Sequence, residues 1–510
     1  MTRRLLLSIF SGITLILSFS PFNAGVLAWV ALIPLYFAIS GQTRARVFLL
    51  GFTAGFVFFL GTVYWVVNSM YFYGGVGLPV SVPVMAALAA FLALYVAFFG
   101  LFFSLTEGVN LTVRMMLSGA AWASLEYLRT HLFSGFPWVL LGYSQTPYIP
   151  MIQIADVGGV WAISFLVVIV NAAFFFLIKA LYERYRPLPF KEALMAAFLV
   201  VSAFTYGTVR VKQIDAEARR WPSMDSAVLQ GNIDQGVKWD SSFQDKTIEI
   251  YRRLSSEAAG QGASLIVWPE TAVPFYLAGE ADKAGLVTGI AKETGSFILT
   301  GSPSYKYNEG GRKAAYFNSA YLISPSGEIA GGYDKIHLVP FGEYVPLKRV
   351  LFFVKKLTHG IGDFSPGPGP YPIRFEGGGM GMLICYEAIF PEIARREVSN
   401  GASVLVNITN DAWFGRTSAP YQHFEMSRMR AVENRVFLLR AANTGISAVV
   451  DPAGRVRAKS RLFEESVITE RVGFKGGQYM TFYTRNGDVF AYGCMLFSAV
   501  FLLTGFIKRR

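Results

Sequence analysis

Along the first 210 residues, apolar positions run in blocks of about 20, the length a helix needs to cross a bilayer. The blocks lie near 5–21, 24–40, 47–68, 82–105, 112–128, 158–180 and 191–209, and an eighth covers 488–507. The fifth is the most interrupted, because Arg114, Glu126 and Arg129 crowd its ends. The first resembles a secretory leader, with Arg3 and Arg4 ahead of an apolar core. Six further blocks follow it closely and no small-residue cleavage site stands out, so it is expected to be retained as a span.

From about residue 211 to 485 the pattern changes to short β-rich runs alternating with amphipathic stretches. Strands are expected in "SAVLQGNI", "ASLIVWPET", "SFILTGSPS", "SAYLISPSGEIAGGYDK", "GMLICYE", "SVLVNITND" and "SAVVDPAGRVRAKS". Two of these enclose the turn signals "SPSGE" and "DPAGR", where Pro and Gly supply hairpin geometry. Helices are expected over 241–259, 280–294, 389–399 and 419–437, with Asp240 and Ser241 as caps for the first. Mixed strands separated by helices imply a layered α/β sandwich. The segment 362–372, "GDFSPGPGPYP", reads as an ordered loop within that domain, not a linker.

Composition agrees with this division. The chain is 53% hydrophobic and only 16% charged, whereas ordinary soluble domains are about a quarter charged. Residues 1–210 hold five acids: Glu107, Glu126, Asp156, Glu183 and Glu192. The expected organisation is a seven-helix transmembrane domain over 1–210, a soluble domain over 220–472 and a transmembrane helix over 485–510. A net charge of +12 is also what a nucleic-acid binder would carry. Membrane topology explains it more simply, and no nucleic acid is expected.

The basic residues fall at alternate ends of the blocks: Arg3 and Arg4; Arg44 and Arg46; Arg114; Lys179, Arg184, Arg186 and Lys191; and Lys508, Arg509 and Arg510. The loops "SPFNAG" and "NSMYFYGGVGLPVS" between them are uncharged. Positive charge marks the cytoplasmic side, so the soluble domain, with seven spans before it and one after, is expected in the bacterial periplasm.

That compartment sharpens the chemistry of the cysteines. There are two, Cys385 and Cys494, and Cys494 lies in the last apolar block, where it makes a poor disulfide partner. A lone thiol outside the cytoplasm either packs as a small hydrophobe or reacts. The four histidines, His131, His337, His359 and His423, form no closely spaced ligand set, so neither a metal nor another cofactor is expected. Three polar residues close apolar stretches where a sheet would gather them: Glu270 in "LIVWPET", Lys335 in "GGYDKIHLVPFGEYVP" and Cys385 in "MLICYE". Taken singly, each also suits a solvated strand end, an edge cap or a packed thiol.

Together the blocks "WPE", "YDKIHLVPFGEYVP" and "ICYE", in that order, resemble the nitrilase superfamily, which implies an αββα sandwich beside the multi-pass helical membrane domain. The resemblance extends over essentially the whole chain to the apolipoprotein N-acyltransferase family, through "GFPWVLLGYSQ", "GNIDQGVKWD", "VWPETAVPF", "KIHLVPFGEYVP", "ICYEAIFPE", "NITNDAWFG" and "ENRVFLLRAANTGIS". It implies an enzyme of the bacterial inner membrane that performs the last step of lipoprotein maturation. The sn-1 chain of a phosphatidylethanolamine-like phospholipid would pass through a Cys385 thioester to the α-amine of a diacylglyceryl apolipoprotein.

In that reading Cys385 is the nucleophile, Glu270 the proton acceptor and Lys335 the partner of the oxyanion. An ordinary thiol, with a pKa of about 8.5, is only a few per cent thiolate at pH 7 and needs such neighbours. Lys335 is expected to favour the charged forms of both Cys385 and Glu270. Glu343 resembles the second glutamate beside the lysine, and Trp239 a tryptophan the family requires. Strand alternation predicts that Glu387 shares a face with Cys385 and Tyr386 points away. Phe414 is a candidate border of the acyl chain and Trp138 a candidate membrane-interface residue. Residues 344–358, "YVPLKRVLFFVKKLT", with Phe352 and Phe353, are expected to form a lid or arm that meets lipid headgroups. A Cys–His pairing with His337, a membrane-tethered amidase using water, and a transporter or receptor remain as competing readings. Against transport, the middles of the apolar blocks are nearly free of charge.

Overall fold

The computed structural model describes residues 1–184, 187–307, 314–345, 363–476 and 479–507. The chain forms two compact units, one of Met1–Val67, Gly77–Gln213 and Asn486–Arg510, the other of Asn68–Val76 and Ile214–Arg485.

In the first unit every predicted apolar block falls on helix. Among the described residues four helices are long and apolar enough to cross a membrane: Arg44–Val63, Leu78–Leu105, Ala155–Tyr182 and Phe190–Ala218. The second block is shared between a 3-10 turn, Gly25–Trp29, and a short helix, Ile33–Ile39. Thr2–Leu17 and Val489–Ile507 have 16 and 19 residues. Leu111–His131 carries buried Arg114, Glu126 and Arg129. Small residues let helices touch backbone to backbone: a Cβ on Gly55 would stand 2.9 Å from the Cα of Ala93. Trp138 is fully buried in this unit, its ring 4.6 Å from that of Trp65 and 5.9 Å from that of Phe136. This tryptophan, expected at the membrane interface, packs inside the unit, and its carbonyl accepts from Arg129 Nη1 at 2.8 Å.

The second unit has twelve strands among the described residues. The first six are β1 (Ser223–Gln230), β2 (Leu265–Val267), β3 (Phe297–Tyr307), β4 (Ala314–Ile323), β5 (Ile329–Asp334) and β6 (Ile373–Phe375). The rest are β7 (Gly378–Ile384), β8 (Val404–Thr409), β9 (Phe437–Ala442), β10 (Ala448–Val450), β11 (Val456–Lys459) and β12 (Ser466–Gly473). They form two sheets, β12-β1-β2-β3-β4-β5 and β11-β10-β9-β8-β7-β6. Each has a parallel centre, β1–β2–β3 or β7–β8–β9, and antiparallel margins. Both predicted hairpins are present, β4–β5 and β10–β11.

Alternation decides which face goes where. Val228, Leu265, Val267 and Leu299 of one sheet meet Met382, Ile384, Val406 and Ile408 of the other in the core between the sheets. Their neighbours Ala227, Leu229, Ile266 and Ile298 face outward, under Ile248 and Leu254 of the helix Ser241–Gly260 and Ile290 of Ala281–Thr294. Pro391–Ser399 and Ala419–Asn434 cover the second sheet. The result is the expected αββα sandwich. Asp240 caps its helix by accepting from the Ser242 N–H at 2.9 Å. The helix expected over 419–437 stops at Asn434, because Arg435 turns left-handed with φ 55° and releases the chain into β9.

Candidate active site

The parallel strands of both sheets end on the same short arc of loops. In open α/β sheets the region beyond the carboxyl ends of parallel strands is where ligands bind. β2 delivers Glu270, β7 delivers Cys385, and β8 delivers Asn410.

Glu270 sits just beyond β2 and is 7% exposed. Its Oε1 accepts from Asn318 Nδ2 at 2.7 Å and its Oε2 accepts from the Asn410 backbone N–H at 2.9 Å. The following residue, Thr271, takes a left-handed φ of 47°. A β-branched residue there is strained and needs outside support. Lys238 supplies it: its buried ammonium donates to the Glu270 carbonyl at 3.1 Å and to Thr271 Oγ1 at 2.7 Å. Burial pushes Lys238 down to about 8, with Glu270 resisting.

Lys335 follows β5 and is 1% exposed. Its Nζ donates to Glu343 at 3.0 Å and stands 3.8 Å from Glu270 Oε1. Burial opposes its charge, but the carboxylates of Glu343 and Glu270 outweigh burial and hold the ammonium above its ordinary range. Glu343 is fixed in turn by the Val339 N–H at 2.7 Å and Asn318 Nδ2 at 2.9 Å. The loop predicted over 362–372 braces the lysine, since the Gly367 N–H donates to the Lys335 carbonyl at 2.8 Å.

Cys385 is where local pattern and structure part. β7 ends at Ile384, and Cys385–Ile389 is a 3-10 turn that begins with Cys385 at φ 52°. Strand alternation therefore does not apply to Tyr386 and Glu387. Glu387 folds back instead: Oε2 accepts from the Ile384 N–H at 2.7 Å, and Oε1 from the N–H groups of Ile336 at 2.7 Å and His337 at 3.1 Å. One carboxylate thus clasps the residue before the cysteine and the two after the lysine. Tyr386 packs instead against the rings of Phe390, at 5.2 Å, and His337, at 5.9 Å.

Glu270 and Lys335 both act electrostatically on the Cys385 sulfur. Burial and then Glu270 push the thiol up, and the downward pull of Lys335 does not compensate. The expectation that Lys335 tips the sulfur toward thiolate meets the opposite balance of causes. Of the carboxylates felt at the sulfur, Glu270 is the one bonded across the sandwich.

Around this cluster, Trp239 follows Lys238 and is 42% exposed. Phe414 lies edge-on to His423, with ring centroids 6.0 Å apart. The His337 ring lies tilted against Phe390, with centroids 3.9 Å apart, and His423 is bonded to the Cys385 carbonyl. Phe352 and Phe353, with the expected lid, lie outside the described residues. Among the described residues no group of three or more metal-ligand side chains occurs. Sequence reasoning named "NITND" and "VKWD" as blocks without singling out Asn410 or Lys238, and it missed Asn318 and His423. Their roles come from contacts across 32 to 140 positions, which no local signal carries.

The chain is similar to known proteins. Residues 226–477 match the carbon-nitrogen hydrolase family model, and 11–173 match the apolipoprotein N-acyltransferase N-terminal domain. An apolipoprotein N-acyltransferase from Geobacter metallireducens is 43% identical over 99% of this chain and 96% of its own length. Another, from Allorhizobium ampelinum, is 34% identical over 91% of this chain and 89% of its own. A carbon-nitrogen hydrolase crystal structure from Helicobacter pylori aligns with 49% of this chain and 89% of its own, at 21% identity and a TM-score of 0.38. The chain belongs to the apolipoprotein N-acyltransferase family.

Proposed function

We propose that this member of the family carries an acyl group on Cys385, with Glu270 as proton carrier and Lys335 as the cation facing the oxyanion. The protein is an acyltransferase of a bacterial membrane, acting on lipid and lipoprotein substrates. The finer assignment is an sn-1 chain taken from a phosphatidylethanolamine-like phospholipid. Its acceptor is the N-terminal α-amine of an S-diacylglyceryl cysteine. The proposed setting is the inner membrane with the catalytic unit on the periplasmic side, which the alternating basic ends of the apolar blocks support.

The steps balance with the residues present. Cys385 Sγ attacks the ester carbonyl carbon as Glu270 takes the thiol proton, and Lys335 stabilises the oxyanion. Collapse breaks the ester C–O bond, and the lysophospholipid leaves with the proton from Glu270. The lipoprotein amine then attacks the thioester and gives its proton to Glu270. The C–S bond breaks, and the sulfur recovers that proton. With a pKa of about 8 the acceptor α-amine is partly neutral at pH 7, so general-base help suffices. Both substrates use the site in turn.

One observation carries this reading: Glu270 and Lys335, buried and 3.8 Å apart, both act on the charge of the half-buried Cys385 beyond the strand ends of two facing sheets. Intact mass spectrometry of the full-length protein after incubation with phospholipid alone tests it. A fatty-acyl increment on the wild type, absent in Cys385→Ala, is expected. Adding a diacylglyceryl lipopeptide should discharge the increment to the amine. Discharge to water at the same rate without lipopeptide would make the enzyme a hydrolase, and a wild type that gains no increment while turning over would end the covalent reading.

A further inference from the structure

The nucleophile's turn is held from a second side by buried groups that the proposed steps leave unused. His423 lies on the helix Ala419–Asn434 and is 1% exposed. Its Nε2 is 3.1 Å from the Cys385 carbonyl oxygen. Its Nδ1 is 3.1 Å from Arg440 Nη2 and 3.0 Å from Asp411 Oδ1. Asp411 accepts from Arg440 Nη2 at 2.8 Å and from the Thr409 hydroxyl at 2.9 Å. Thr409 closes β8. The polar chain thus runs from Thr409 through Asp411 and His423 to the Cys385 carbonyl. Every side chain between is buried.

Charge and proton positions follow from burial. Burial and then Arg440 keep the His423 ring below the ordinary imidazole range. The Cys385 carbonyl can only accept, so the bond to it needs a proton on Nε2, while Nδ1 faces Asp411 Oδ1 and Arg440 Nη2. Asp411, despite burial, is held down to about 2 by Arg440 and His423 and stays anionic. Such a network has no solvent to rearrange into, which makes it stiff.

Stiffness is what this turn requires. A non-glycine residue at φ 52° is in a region that persists only where surroundings over-determine it. Glu387 holds the N–H of Ile384, just before Cys385, and His423 holds the carbonyl of Cys385 itself. That carbonyl shares a planar trans peptide with the Tyr386 N–H, so the bond to His423 also fixes that N–H on the opposite side.

We propose that His423, backed by Asp411 and Arg440, is a positioning residue for acyl transfer, fixing the peptide plane after the nucleophile through its hydrogen bond to the Cys385 carbonyl. The inference rests on Cys385 being the acylated thiol. The test is the single-turnover acylation rate of the full-length protein with phospholipid, followed by intact mass, in His423→Gln, His423→Asn and His423→Leu. A glutamine amide reaches the place of Nε2, whereas asparagine is one carbon too short.

His423→Asn and His423→Leu should acylate about 10- to 100-fold more slowly, the scale of a misplaced reacting group, with half-saturating phospholipid unchanged. His423→Gln should recover most of the rate. Thermal unfolding identifies a variant that does not fold. If leucine fails there, the glutamine and asparagine rates still decide. Asparagine as fast as wild type overturns the proposal, and so does glutamine as slow as asparagine. A wild type that never acylates overturns the thioester reading instead.

Discussion

The backbone N–H of Asn410 donates to Glu270 Oε2 at 2.9 Å, although the two residues are 140 positions apart. Glu270 follows β2 of one sheet and Asn410 follows β8 of the other. The Glu270 carboxylate is therefore held by both halves of the sandwich, and its geometry depends on how the two sheets pack.

Glu270→Gln keeps the size of the side chain and an oxygen for the Asn410 N–H, but removes the proton acceptor. Loss of a positioned base typically slows a reaction about 10²- to 10⁴-fold. Single-turnover acylation should fall by that much while thermal unfolding moves little. A rate near wild type would assign the proton to another group.

Lys335→Met leaves the Glu343 and Glu270 carboxylates facing each other, buried and without their cation. Breaking a buried pair in this way costs about 3–5 kcal/mol. Chemical denaturation of the purified protein should show a loss of that order, in addition to lost acylation. An unchanged midpoint would mean that water reaches the carboxylates.

Lys238→Met removes the two bonds that hold the left-handed Thr271 and the Glu270 carbonyl. Hydrogen bonds from charged groups are worth about 1.5–3 kcal/mol. If half of one such bond is felt as misplacement of Glu270, acylation slows by a few-fold to about tenfold. A phospholipid titration should show the loss in the maximal rate and not in half-saturation.

Gly301→Ala tests the same loop from beneath. A Cβ on Gly301 of β3 would lie 2.4 Å from the Thr271 backbone nitrogen and 2.8 Å from the Glu270 Cα. Those atoms are backbone and cannot swing aside, so the Glu270 loop must lift. A shift near 1 Å can lower a rate by about 10²-fold. Wild-type acylation in this variant would show that the loop tolerates displacement.

Glu397 lies on the helix Pro391–Ser399 and packs against Gly381 of β7. Burial, then Glu387, pushes its carboxyl from 4.5 up to about 9. The folded state therefore holds a proton that the unfolded chain releases. This contribution to stability is fully present below 4.5 and is lost as pH rises through about 9. Glu397→Gln should flatten the fall of the unfolding temperature between pH 5 and 9. An identical slope in the variant would place the carboxyl in water.

Much of the molecule is legible without coordinates. Apolar runs of spanning length mark the helices of the first unit, because a helix records its surroundings in residues three and four apart. The β-rich runs "SAVLQGNI" and "SVLVNITND", and the Pro and Gly of "SPSGE" and "DPAGR", announce β1, β8 and two hairpins for equally local reasons. Glu270, Lys335 and Cys385 stand out because each closes an apolar run. Short or mixed strands such as β6 and β12 escape this reading, since they are stabilised by a partner strand and not by their own pattern.

By itself, then, the sequence determined the division into an apolar helical part and an α/β part, most of their elements, and three candidate site residues in order. Tertiary structure alone decided that Asn318, Asn410 and Lys238 hold the Glu270 segment, that Glu387 clasps two loops and that His423 reaches the Cys385 carbonyl. It also turned "ICYE" from a strand into a left-handed turn and raised the thiol instead of lowering it. The reason is physical: periodicity is written by neighbours along the chain, whereas a buried hydrogen bond between strand ends, and the loss of solvent that shifts a proton, exist only once two sheets have closed on each other.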